Sequence, residues 1–561
     1  MQLRDVDEGL VSKLRDELGL LSTTARCLVA RGIDDTETAK AFLAPRLGSL
    51  RPPTGLADLS KAVDRIAQAV TGGQKIGCFG DYDVDGVSTC ALLTGYLRSY
   101  DAEVVPRVAT RQGGYGFGLE HANALLDEGC QLIITGDCGT SDIASIEACR
   151  AKGVDVVVID HHTVPTLSPD DPHPAFALVN PFRPDSDFPF RGMASVGLAF
   201  YVAAAIRTRL DGPKQALMAE LDLVALGTVA DLVPLAEENR ILTTHGLHQL
   251  NRAPRLGIRA LLSAAKVEDK RITERTIGWK IGPRLNAPGR LGDAKPALEL
   301  LLAKEPQEAD RFAQIVEKAN ADRREAQESI RKAVETQLEK VRNDSCVVLA
   351  GEGWASGVVG IVASRIAEET GRPTFIIGVD PETGEGRGSG RSARGINLYS
   401  LLEKNRDLLD RFGGHAAAAG LTVGRDQIEK LREGLILAAN EQETSAEPIE
   451  QVVDAEIGLP DVNERLTKEL LSLGPFGKGN EEPTLTCRGV RVNSSRRVGD
   501  GSHLKLELEE GGTTRGAIGF GLGASDPGPD ALVDVVFAPM LNEWRGRTSV
   551  ELGLKTLSKA N

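Results

Sequence analysis

Short runs of valine and isoleucine alternate with helix-like segments in the first half of the chain. Four runs predict buried strands: KIGCF (75–79), EVVPRV (103–108), QLIITGD (131–137) and VDVVVID (154–160). The apolar stretch VSTCALLTGYL (87–97) predicts a helix between the first two. Nearly continuous apolar strands that alternate with helices are typical of a parallel sheet covered on both faces. Ligands of such sheets bind beyond the carboxyl ends of the strands.

A long helix is predicted in the middle of the chain. From Pro306 to Val341, apolar residues recur with a period near 3.6, and the opposite positions are mostly Glu, Lys, Arg and Gln. The runs CVVLA (346–350) and PTFIIGV (373–379) then predict strands of a second α/β segment. We interpret the long helix as the connection between two α/β domains.

The two ends of the chain differ from this pattern. The first 50 residues predict short helices that lead into a proline-containing linker, Arg51–Thr54. Beyond TSAEP (444–448), which is typical of a linker, the chain contains short alternating segments. They are CRGVRVN, HLKLELE, GAIGFG, LVDVVFAPM and TSVELGLKTL. Such segments predict the strands of a small barrel or sandwich.

These patterns predict an α/β protein of several domains, since 561 residues are too many for one hydrophobic core. The predicted regions are an N-terminal helical segment (1–54), a parallel-sheet domain (55–305), a connecting helix (306–343), a smaller α/β domain (344–443) and a β-barrel domain (450–561).

Composition narrows the class of protein. The chain has no apolar run of the roughly 18 residues that span a bilayer, and its charged N-terminus lacks the apolar core of a signal peptide. The eight cysteines include no CxxC pair, which favours reduced thiols in a cytoplasmic protein. The net charge of −14 argues at first against a nucleic-acid partner. From Arg491 onward, however, nine basic residues balance nine acidic ones.

Four segments place carboxylates or imidazoles after an apolar strand or helix. They are GDYDVDG with Asp81, Asp83 and Asp85; TGDCGT with Asp137; VIDHHT with Asp160, His161 and His162; and ALGTVADLVP with Asp231. Each alone has a structural explanation, such as a helix cap or a packed histidine pair. Together, they indicate a site for divalent cations, because Mg²⁺ and Mn²⁺ prefer oxygen ligands and Mn²⁺ also accepts imidazole. Two such ions roughly 3.5–4 Å apart serve phosphoryl displacement.

This motif series resembles the DHH phosphoesterase superfamily. Its members include inorganic pyrophosphatases, oligoribonucleases, cyclic-dinucleotide phosphodiesterases and 5′→3′ exonucleases specific for single-stranded DNA. The resemblance implies two bound Mn²⁺ or Mg²⁺ ions, with the ligands Asp83, Asp85, Asp137, His161 and Asp231. It implies that His162 contacts the scissile phosphate or the leaving oxygen, and that Asp81 and Asp160 support the site.

Two glycine-rich segments in the second half, GSGRSARG (388–395) and FGGHAAAAG (412–420), resemble the associated DHHA1 domain. The resemblance implies that Ser389, Arg391 and His415 hold the 5′ phosphate of the substrate. Their structural alternatives are a flexible loop and a tight turn before a helix. Three further arginines are expected to line the DNA path, with surface salt bridges as the alternative: Arg111, Arg284 and Arg290.

The C-terminal strands resemble an OB-type domain of the exonuclease branch. We therefore expect a single-stranded-DNA-specific 5′→3′ exonuclease that releases 5′-mononucleotides in recombination and repair. It would act as a monomer, with a helicase and a single-strand-binding protein as further candidate partners. Two alternatives remain open: a phosphodiesterase for short RNA or cyclic dinucleotides, and a DNA-binding relative without catalysis. Phe79 and Ala355 replace histidines found in some relatives, and Cys138 stands where asparagine is frequent.

Overall fold

The chain folds into two compact units. One consists of Met1–Arg51, Leu232–Thr244 and Pro448–Asn561, and the other of Pro52–Asp231 and His245–Glu447. The structure, a computed structural model, describes residues 2–111, 114–165, 172–211, 214–267, 271–442, 452–544 and 547–560. Across these ranges, no helix combines the length and the apolar character that a membrane crossing requires.

Short helices form the N-terminal segment, as predicted. Its elements are β1 (Gln2–Leu3), α1 (Glu8–Leu18), α2 (Ser22–Val29) and α3 (Thr36–Leu43). Aspartates cap two of these helices: Asp7 accepts hydrogen bonds from the first turn of α1, and Asp35 from the first turn of α3. Such caps satisfy backbone N–H groups that a helix start leaves unpaired.

A parallel five-stranded sheet begins the second unit and confirms the predicted architecture. Its strands are β2 (Ile76–Gly80), β3 (Val104–Val108), β4 (Leu132–Gly136), β5 (Asp155–Ile159) and β6 (Ala177–Val179), in the order β3-β2-β4-β5-β6. The helices around them are α4 (Leu59–Thr71), α5 (Val84–Arg98), α6 (Leu119–Asp127), α7 (Ile143–Ala151) and α8 (Ser195–Ile206). The short strand β6 was not predicted, because three residues give too little pattern.

A helical region follows this sheet. Its helices are α9 (Lys214–Ala219), α10 (Leu221–Ala230), α11 (Glu237–Arg252), α12 (Leu256–Ala264), α13 (Glu274–Thr276), α14 (Gly282–Leu285), α15 (Ala287–Leu291) and α16 (Lys295–Leu302). A π-helical turn, Ile277–Ile281, lies between α13 and α14. The predicted connecting helix is α17 (Pro306–Leu338), which a 3₁₀ turn extends to Val341.

The second sheet of this unit is mixed. Its strands are β7 (Val347–Glu352), β8 (Thr374–Val379), β9 (Glu385–Arg391), β10 (Arg411–Gly414) and β11 (Ala418–Gly424), in the order β10-β11-β9-β8-β7. The helices are α18 (Ser356–Thr370), α19 (Leu398–Glu403) and α20 (Ile428–Asn440). Both glycine-rich segments take part in the sheet: the first begins within β9, and the second forms the β10–β11 hairpin. Neither is a free loop or a helix start.

The C-terminal strands close into a barrel. The elements are β12 (Val452–Val453), β13 (Ala455–Glu456), α21 (Glu464–Leu471), β14 (Leu485–Val498), β15 (His503–Glu510), β16 (Thr513–Gly519), β17 (Leu532–Trp544) and β18 (Arg547–Lys559). Strands β14, β15, β16, β18 and β17 pair in this order, and a further β14–β17 pairing completes the ring. The sequence predicted these barrel strands.

The N-terminal helices share one apolar core with this barrel. Leu14 of α1 and Leu28 of α2 lie in the same buried cluster as Leu506 and Phe537 of the barrel, and β1 pairs in parallel with β12. Residues more than 400 positions apart thus complete one compact unit. No local pattern in the first 50 residues indicated this partner.

Replacement of Leu14 by alanine tests the shared core. Leu14 is fully buried, so Leu14→Ala is expected to destabilise the first unit by about 2–5 kcal/mol through lost burial and a residual cavity. Urea or thermal unfolding, followed in the full chain, measures the change. Lys13→Ala is the control, because Lys13 is exposed on the same helix. Equal stability of the two variants would contradict the shared core.

Candidate active site

Three of the predicted carboxylates stand directly at the ends of parallel strands. Asp81 follows β2, Asp137 follows β4 and Asp160 follows β5, and all three are buried. Asp137 adopts a left-handed backbone conformation, with φ 62°. That conformation is unusual for a residue other than glycine, and it turns the chain sharply at the strand end. The edge of the sheet therefore gathers these carboxylates as the sequence predicted.

The amino end of α8 binds both carboxylate oxygens of Asp85. The backbone N–H groups of Ser195 and Val196 donate to the two oxygens of Asp85, over 2.7 and 3.0 Å. The hydroxyl of Ser195 donates to Oδ1 of Asp137 over 3.1 Å. The start of a helix stabilises negative charge, so α8 fixes the orientation of both side chains. Sequence reasoning missed Ser195, because its main contact to this site is a backbone amide.

His161 lies at the centre of the carboxylates. Its Nε2 atom is 3.2 Å from Oδ1 of Asp137, 3.5 Å from Oδ2 of Asp231 and 4.0 Å from Oδ2 of Asp85. Among the described residues, two groups have ligand atoms within 4.8 Å of one another: Asp137, His161 and His162, and Asp85, His161 and Asp231. The two groups share His161, whose Nε2 atom can bind one ion, so they are overlapping parts of one cluster of candidate cation ligands.

The charges of this site fit divalent cations. Burial and the neighbouring Asp83 raise the pKa of Asp81 to about 8. Burial and the surrounding carboxylates also raise the pKa of Asp85 and of Asp137 well above the usual range. Oδ2 of Asp81 is buried and has no hydrogen-bond partner among the described groups. The carboxylates repel one another, and bound cations would offset this repulsion. Oxygen and imidazole ligands suit Mg²⁺ and Mn²⁺.

Asp83 belongs to neither ligand group. It caps α5, because its Oδ1 atom accepts a hydrogen bond of 3.0 Å from the N–H of Gly86. Its charge nevertheless contributes to the raised pKa of Asp85 and Asp137, so its carboxylate faces the same centre. In the described part of the chain, the start of α5 donates only to Oδ1 of Asp83, which leaves Oδ2 available to a cation.

His162 belongs to the first ligand group, but both nitrogens of its ring are also engaged in hydrogen bonds. Its Nδ1 atom is 2.7 Å from Oδ1 of Asp160, and its Nε2 atom is 2.8 Å from the hydroxyl of Tyr115. Burial alone would lower the pKa of His162, but the bond and the charge of Asp160 raise it to about 9. At neutral pH the ring is therefore a cation that donates from both nitrogens. A protonated imidazole is a hydrogen-bond donor to phosphate rather than a metal ligand.

Asp160 organises the DHH turn. Its Oδ1 atom also accepts from the N–H groups of His161 and His162, and its Oδ2 atom accepts from the N–H of Thr140 over 3.1 Å. Asn180, just after β6, donates to the carbonyl of His162 over 2.9 Å. These donors fix the Asp160 side chain, so we expect it to support the turn rather than to bind a cation. Asn180 was also missed by the sequence reasoning.

Apolar residues replace the histidines of some relatives. The buried ring of Phe79 lies 5.1 Å from that of Phe117, within an apolar cluster that includes Ala109. Ala355 caps the start of α18 and packs against a second cluster. Cys138 is buried beside Asp137, and all eight cysteines of the chain are buried free thiols. None of these three positions supplies a cation ligand.

Two arginines, Arg290 of α15 and Arg111 shortly after β3, lie near the start of α18. Arg290 donates to the carbonyl of Gly357 over 3.1 Å, and Arg111 donates to that of Gly289 over 3.0 Å. A Cβ atom at Gly357 would lie 3.0 Å from Nε of Arg111. Burial and the neighbouring Arg111 lower the pKa of Arg290. These two cations lie close together, which favours the binding of an anion between them.

Ser389 and Arg391 are on β9, and they lie beside Gly360, which is one turn farther along α18 than Gly357. Nη1 of Arg391 donates to Oγ of Ser389 over 2.8 Å, and a Cβ atom at Gly360 would lie 2.9 Å from this oxygen. No carboxylate of the described residues pairs with Arg391. Both residues, together with Arg111, Tyr82 and the exposed ring of Tyr115, line a cavity of 910 Å³.

Two predicted substrate residues lie elsewhere. Arg284 forms an ion pair of 2.5 Å with Glu317 of α17 and donates to the carbonyl of Lys280, so its guanidinium is already engaged. His415 lies at the exposed turn between β10 and β11, where its N–H donates to the carbonyl of Ala418. It is not among the residues that line the cavity. The geometry brings together the other predicted residues but not these two.

Gly227 in α10 tests how tightly the carboxylates are packed. A Cβ atom there would lie 2.6 Å from Oδ1 of Asp85 and 2.7 Å from a methyl group of Val196. Gly227→Ala is therefore expected to displace Asp85 and to lower Mn²⁺ affinity about 10–100-fold, as the loss of groups that orient metal ligands does. Gly278→Ala is the control, since its Cβ atom would meet nothing within 4 Å. Unchanged Mn²⁺ affinity in Gly227→Ala would contradict this packing.

Sequence models of three protein families match the chain. The DHH family, N-terminal domain, matches residues 75–228, the DHHA1 domain matches residues 343–441, and the RecJ OB domain matches residues 453–556. The first match contains the parallel sheet, the second contains the mixed sheet and the third contains the barrel. Each match therefore lies within one of the three regions for which the sequence predicts a sheet or a barrel.

Curated relatives match over nearly the whole chain. The chain is 36% identical to the single-stranded-DNA-specific exonuclease RecJ of Dickeya dadantii, over 90% of each chain. It is 33% identical to the protein of the same name from Escherichia coli, over 98% of each chain. The RecJ of Bacillus subtilis is 33% identical over 99% of this chain and 70% of its own.

Solved structures agree with this match. The crystal structure of RecJ in complex with Mn²⁺ from Thermus thermophilus superimposes on 100% of this chain and 79% of that chain. The TM-score is 0.84 at 28% identity. A second structure of that RecJ, in complex with Mg²⁺, has a TM-score of 0.78. By sequence along nearly its whole length and by fold, the chain belongs to the RecJ family of exonucleases.

Proposed function

We propose that the protein is a single-stranded-DNA-specific 5′→3′ exonuclease that releases 5′-mononucleotides by hydrolysis of the terminal phosphodiester. The observation that carries the proposal is the cluster of carboxylates around His161, in the same unit as a cavity lined by arginines. Acidic ligands suit two cations, and arginines suit the phosphates of a strand. The specificity for DNA, the 5′→3′ polarity and the role in recombination and repair follow from family membership.

The chain would hold two Mn²⁺ or Mg²⁺ ions through five residues. We assign this role to Asp83, Asp85, Asp137, His161 and Asp231. Bound ions of this kind activate a water molecule and neutralise charge on the reacting phosphate. The amino end of α8 keeps Asp85 and Asp137 in place, so the ligands are oriented before an ion arrives.

His162 would donate a proton to the leaving side of the reaction. Its cationic ring is fixed by Asp160, and its Nε2–H group, which bonds to Tyr115 here, can turn to a phosphate or leaving oxygen. Asp81 would add negative charge beside the ligands. Ser389 and Arg391, with Arg111 and Arg290, would hold the 5′ phosphate; we keep Arg284 and His415 as weaker candidates for contacts along the strand.

The rest of the chain would guide the strand. The C-terminal barrel belongs to the RecJ OB family, and barrels of the OB type bind single strands through basic grooves and stacking. Binding should weaken as salt rises, because arginine contacts to phosphate release counterions. We further propose that the protein acts in the cytoplasm as a monomer, with a helicase and a single-strand-binding protein as partners.

Digestion of end-labelled DNA tests the proposal. Single-stranded and duplex DNA, labelled at either the 5′ or the 3′ end, are incubated with Mn²⁺, Mg²⁺ or EDTA. The expected result is immediate release of labelled mononucleotide from the 5′ end of single strands, with late release of a 3′ label. Duplex DNA and EDTA samples should stay intact.

A parallel series with short RNA and cyclic dinucleotides covers the competing enzyme. Degradation of these substrates without digestion of single-stranded DNA would replace the proposal by a small-nucleotide phosphodiesterase. Binding of single strands without degradation in any metal would leave a non-catalytic relative. Loss of the 3′ label before the 5′ label would reverse the proposed polarity.

A further inference from the structure

The cavity beside the metal ligands has an unusual charge. Its described lining contains four arginines, Arg111, Arg387, Arg391 and Arg411, and no carboxylate. The chain as a whole carries 80 acidic and 66 basic residues, so this surface reverses the sign of the average. The proposed site for the 5′ phosphate uses only two of these arginines, Arg111 and Arg391. The other two have no role in the function proposed above.

The strands of the mixed sheet show where the remaining arginines lie. Arg387, Ser389 and Arg391 alternate along β9, so their side chains share one face of the sheet. Thr422 of β11 pairs with Arg387 on one side and with Arg411 of β10 on the other. Arg387 and Arg411 therefore flank Thr422 at one level, about 10 Å apart at two strand spacings.

Arg387 and Arg411 lie at a different position along the strands from Arg391. Four residues along an extended strand span about 13 Å, so Arg387 and Arg391 cannot grip the same phosphate oxygen from their Cα positions. Gly413 and Gly420 pair with each other, and Gly420 pairs with Ser389. Between the two levels, Ser389 is therefore the one residue of these three paired positions that carries a side chain. The floor of the cavity is thus flat, with a cationic group at each end.

The cationic group formed by Arg387 and Arg411 is available to a ligand. Arg411 is exposed, and no ion pair or side-chain hydrogen bond to it occurs in the described part of the chain. Arg387 pairs with Glu385 over 2.5 Å, and both side chains are about half exposed. An exposed pair of this kind contributes little, so a phosphate can replace the carboxylate at small cost.

We propose that Arg387, Arg411 and Thr422 form a second phosphate subsite, which binds a phosphate that extends beyond the one held by Ser389 and Arg391. The inference rests on the proposed exonuclease function. Such a phosphate can come from two sources. One is a strand that ends in a 5′-triphosphate. The other is a strand with a 5′-monophosphate that enters the cavity by one nucleotide more. In the second case, hydrolysis of the second linkage adds water across its P–O3′ bond. The products are a dinucleotide with a 3′-hydroxyl and a strand with a new 5′ phosphate.

Three single-stranded substrates distinguish these sources. One ends in a 5′-monophosphate, one ends in a 5′-triphosphate, and one has a 5′-monophosphate with a phosphorothioate between its first two nucleotides. Products are identified by mass spectrometry. The full-length wild type is expected to release a nucleoside triphosphate from the second substrate or a dinucleotide from the third. Digestion of the first substrate reports on the exonuclease function itself.

The matched variants are the double substitution Arg387→Gln with Arg411→Gln, and the control Arg406→Gln. Arg406 is exposed, pairs with Glu403 and is not among the cavity residues. The double variant is expected to lower kcat/KM about tenfold more for an extended substrate than for the monophosphate substrate, as loss of charged hydrogen bonds does. The control should leave this ratio unchanged.

Each outcome decides the inference. A selective loss with either extended substrate supports the subsite and identifies which strand end it accepts. Digestion of the monophosphate substrate without any cleavage of the extended ones overturns the subsite and leaves the exonuclease function intact. Equal losses with all three substrates also overturn it. If no substrate is digested, the exonuclease function fails and the inference fails with it.

Discussion

Replacement of Asp137 by alanine is expected to lower the rate of single-strand digestion about 10⁴-fold, the range seen when a central catalytic group is removed. Oδ1 of Asp137 is 3.2 Å from Nε2 of His161, and the pKa of Asp137 is raised well above normal by burial and by the surrounding carboxylates. We therefore propose that Asp137 contributes to the cation sites both as a ligand and through its negative charge. Rates of release from 5′-labelled single strands in Mn²⁺ measure the loss.

Binding of Mn²⁺, followed by calorimetry, shows whether the loss comes from the cation. Asp137→Ala should reduce the number of bound ions or weaken their binding strongly. Asp127→Ala is the control, since Asp127 is exposed at the end of α6. If Asp137→Ala keeps full Mn²⁺ binding and full activity, the assignment of the ligand groups is wrong.

The second large effect is expected for His162→Ala, with a rate loss of about 10²–10⁴-fold, as for the removal of a general acid. The ring donates to Asp160 and Tyr115, and its raised pKa of about 9 keeps it protonated at neutral pH. In contrast to Asp137→Ala, this variant should retain Mn²⁺ binding, because Nδ1 is engaged with Asp160. Loss of rate should appear in kcat measured at saturating Mn²⁺.

Tyr115→Phe provides the matched comparison for His162→Ala. It removes only the hydroxyl that is 2.8 Å from Nε2 of His162 and keeps the aromatic ring. If the Nε2–H group turns to the substrate during the reaction, this change should cost less than tenfold, on the scale of one neutral hydrogen bond. Weak Mn²⁺ binding in His162→Ala would instead make His162 a cation ligand.

Much of the fold was predictable because apolar runs specify buried strands directly. The runs before Asp81, Asp137 and Asp160 could only be strands of a covered parallel sheet, and this placed their carboxylates at one edge. The period of α17 was equally clear. The glycine-rich segment around Ser389 was harder, because glycine disfavours strands in general and here allows close packing within β9.

The supporting contacts of the site could not be predicted. Ser195 and Asn180 act through a backbone amide and a side-chain amide whose direction depends on the tertiary fold. Tyr115 stood in a glycine-rich turn, and nothing local indicated that its hydroxyl meets His162. Likewise, Arg284 looked like a DNA contact in sequence, but α17 brings Glu317 to it. Such partners come from distant elements, which a local pattern does not report.

The pairing of β1 with β12 affects how the protein is made on the ribosome. Helices α1–α3 leave the exit tunnel first, yet their apolar partners are the barrel strands, which leave it last. At about 5–20 residues per second, the intervening chain takes on the order of half a minute to a minute to synthesise. During that time, the apolar faces of the N-terminal helices lack their final partners and are exposed to binding by chaperones. The second unit, whose residues are contiguous apart from one short excursion, can fold within this interval.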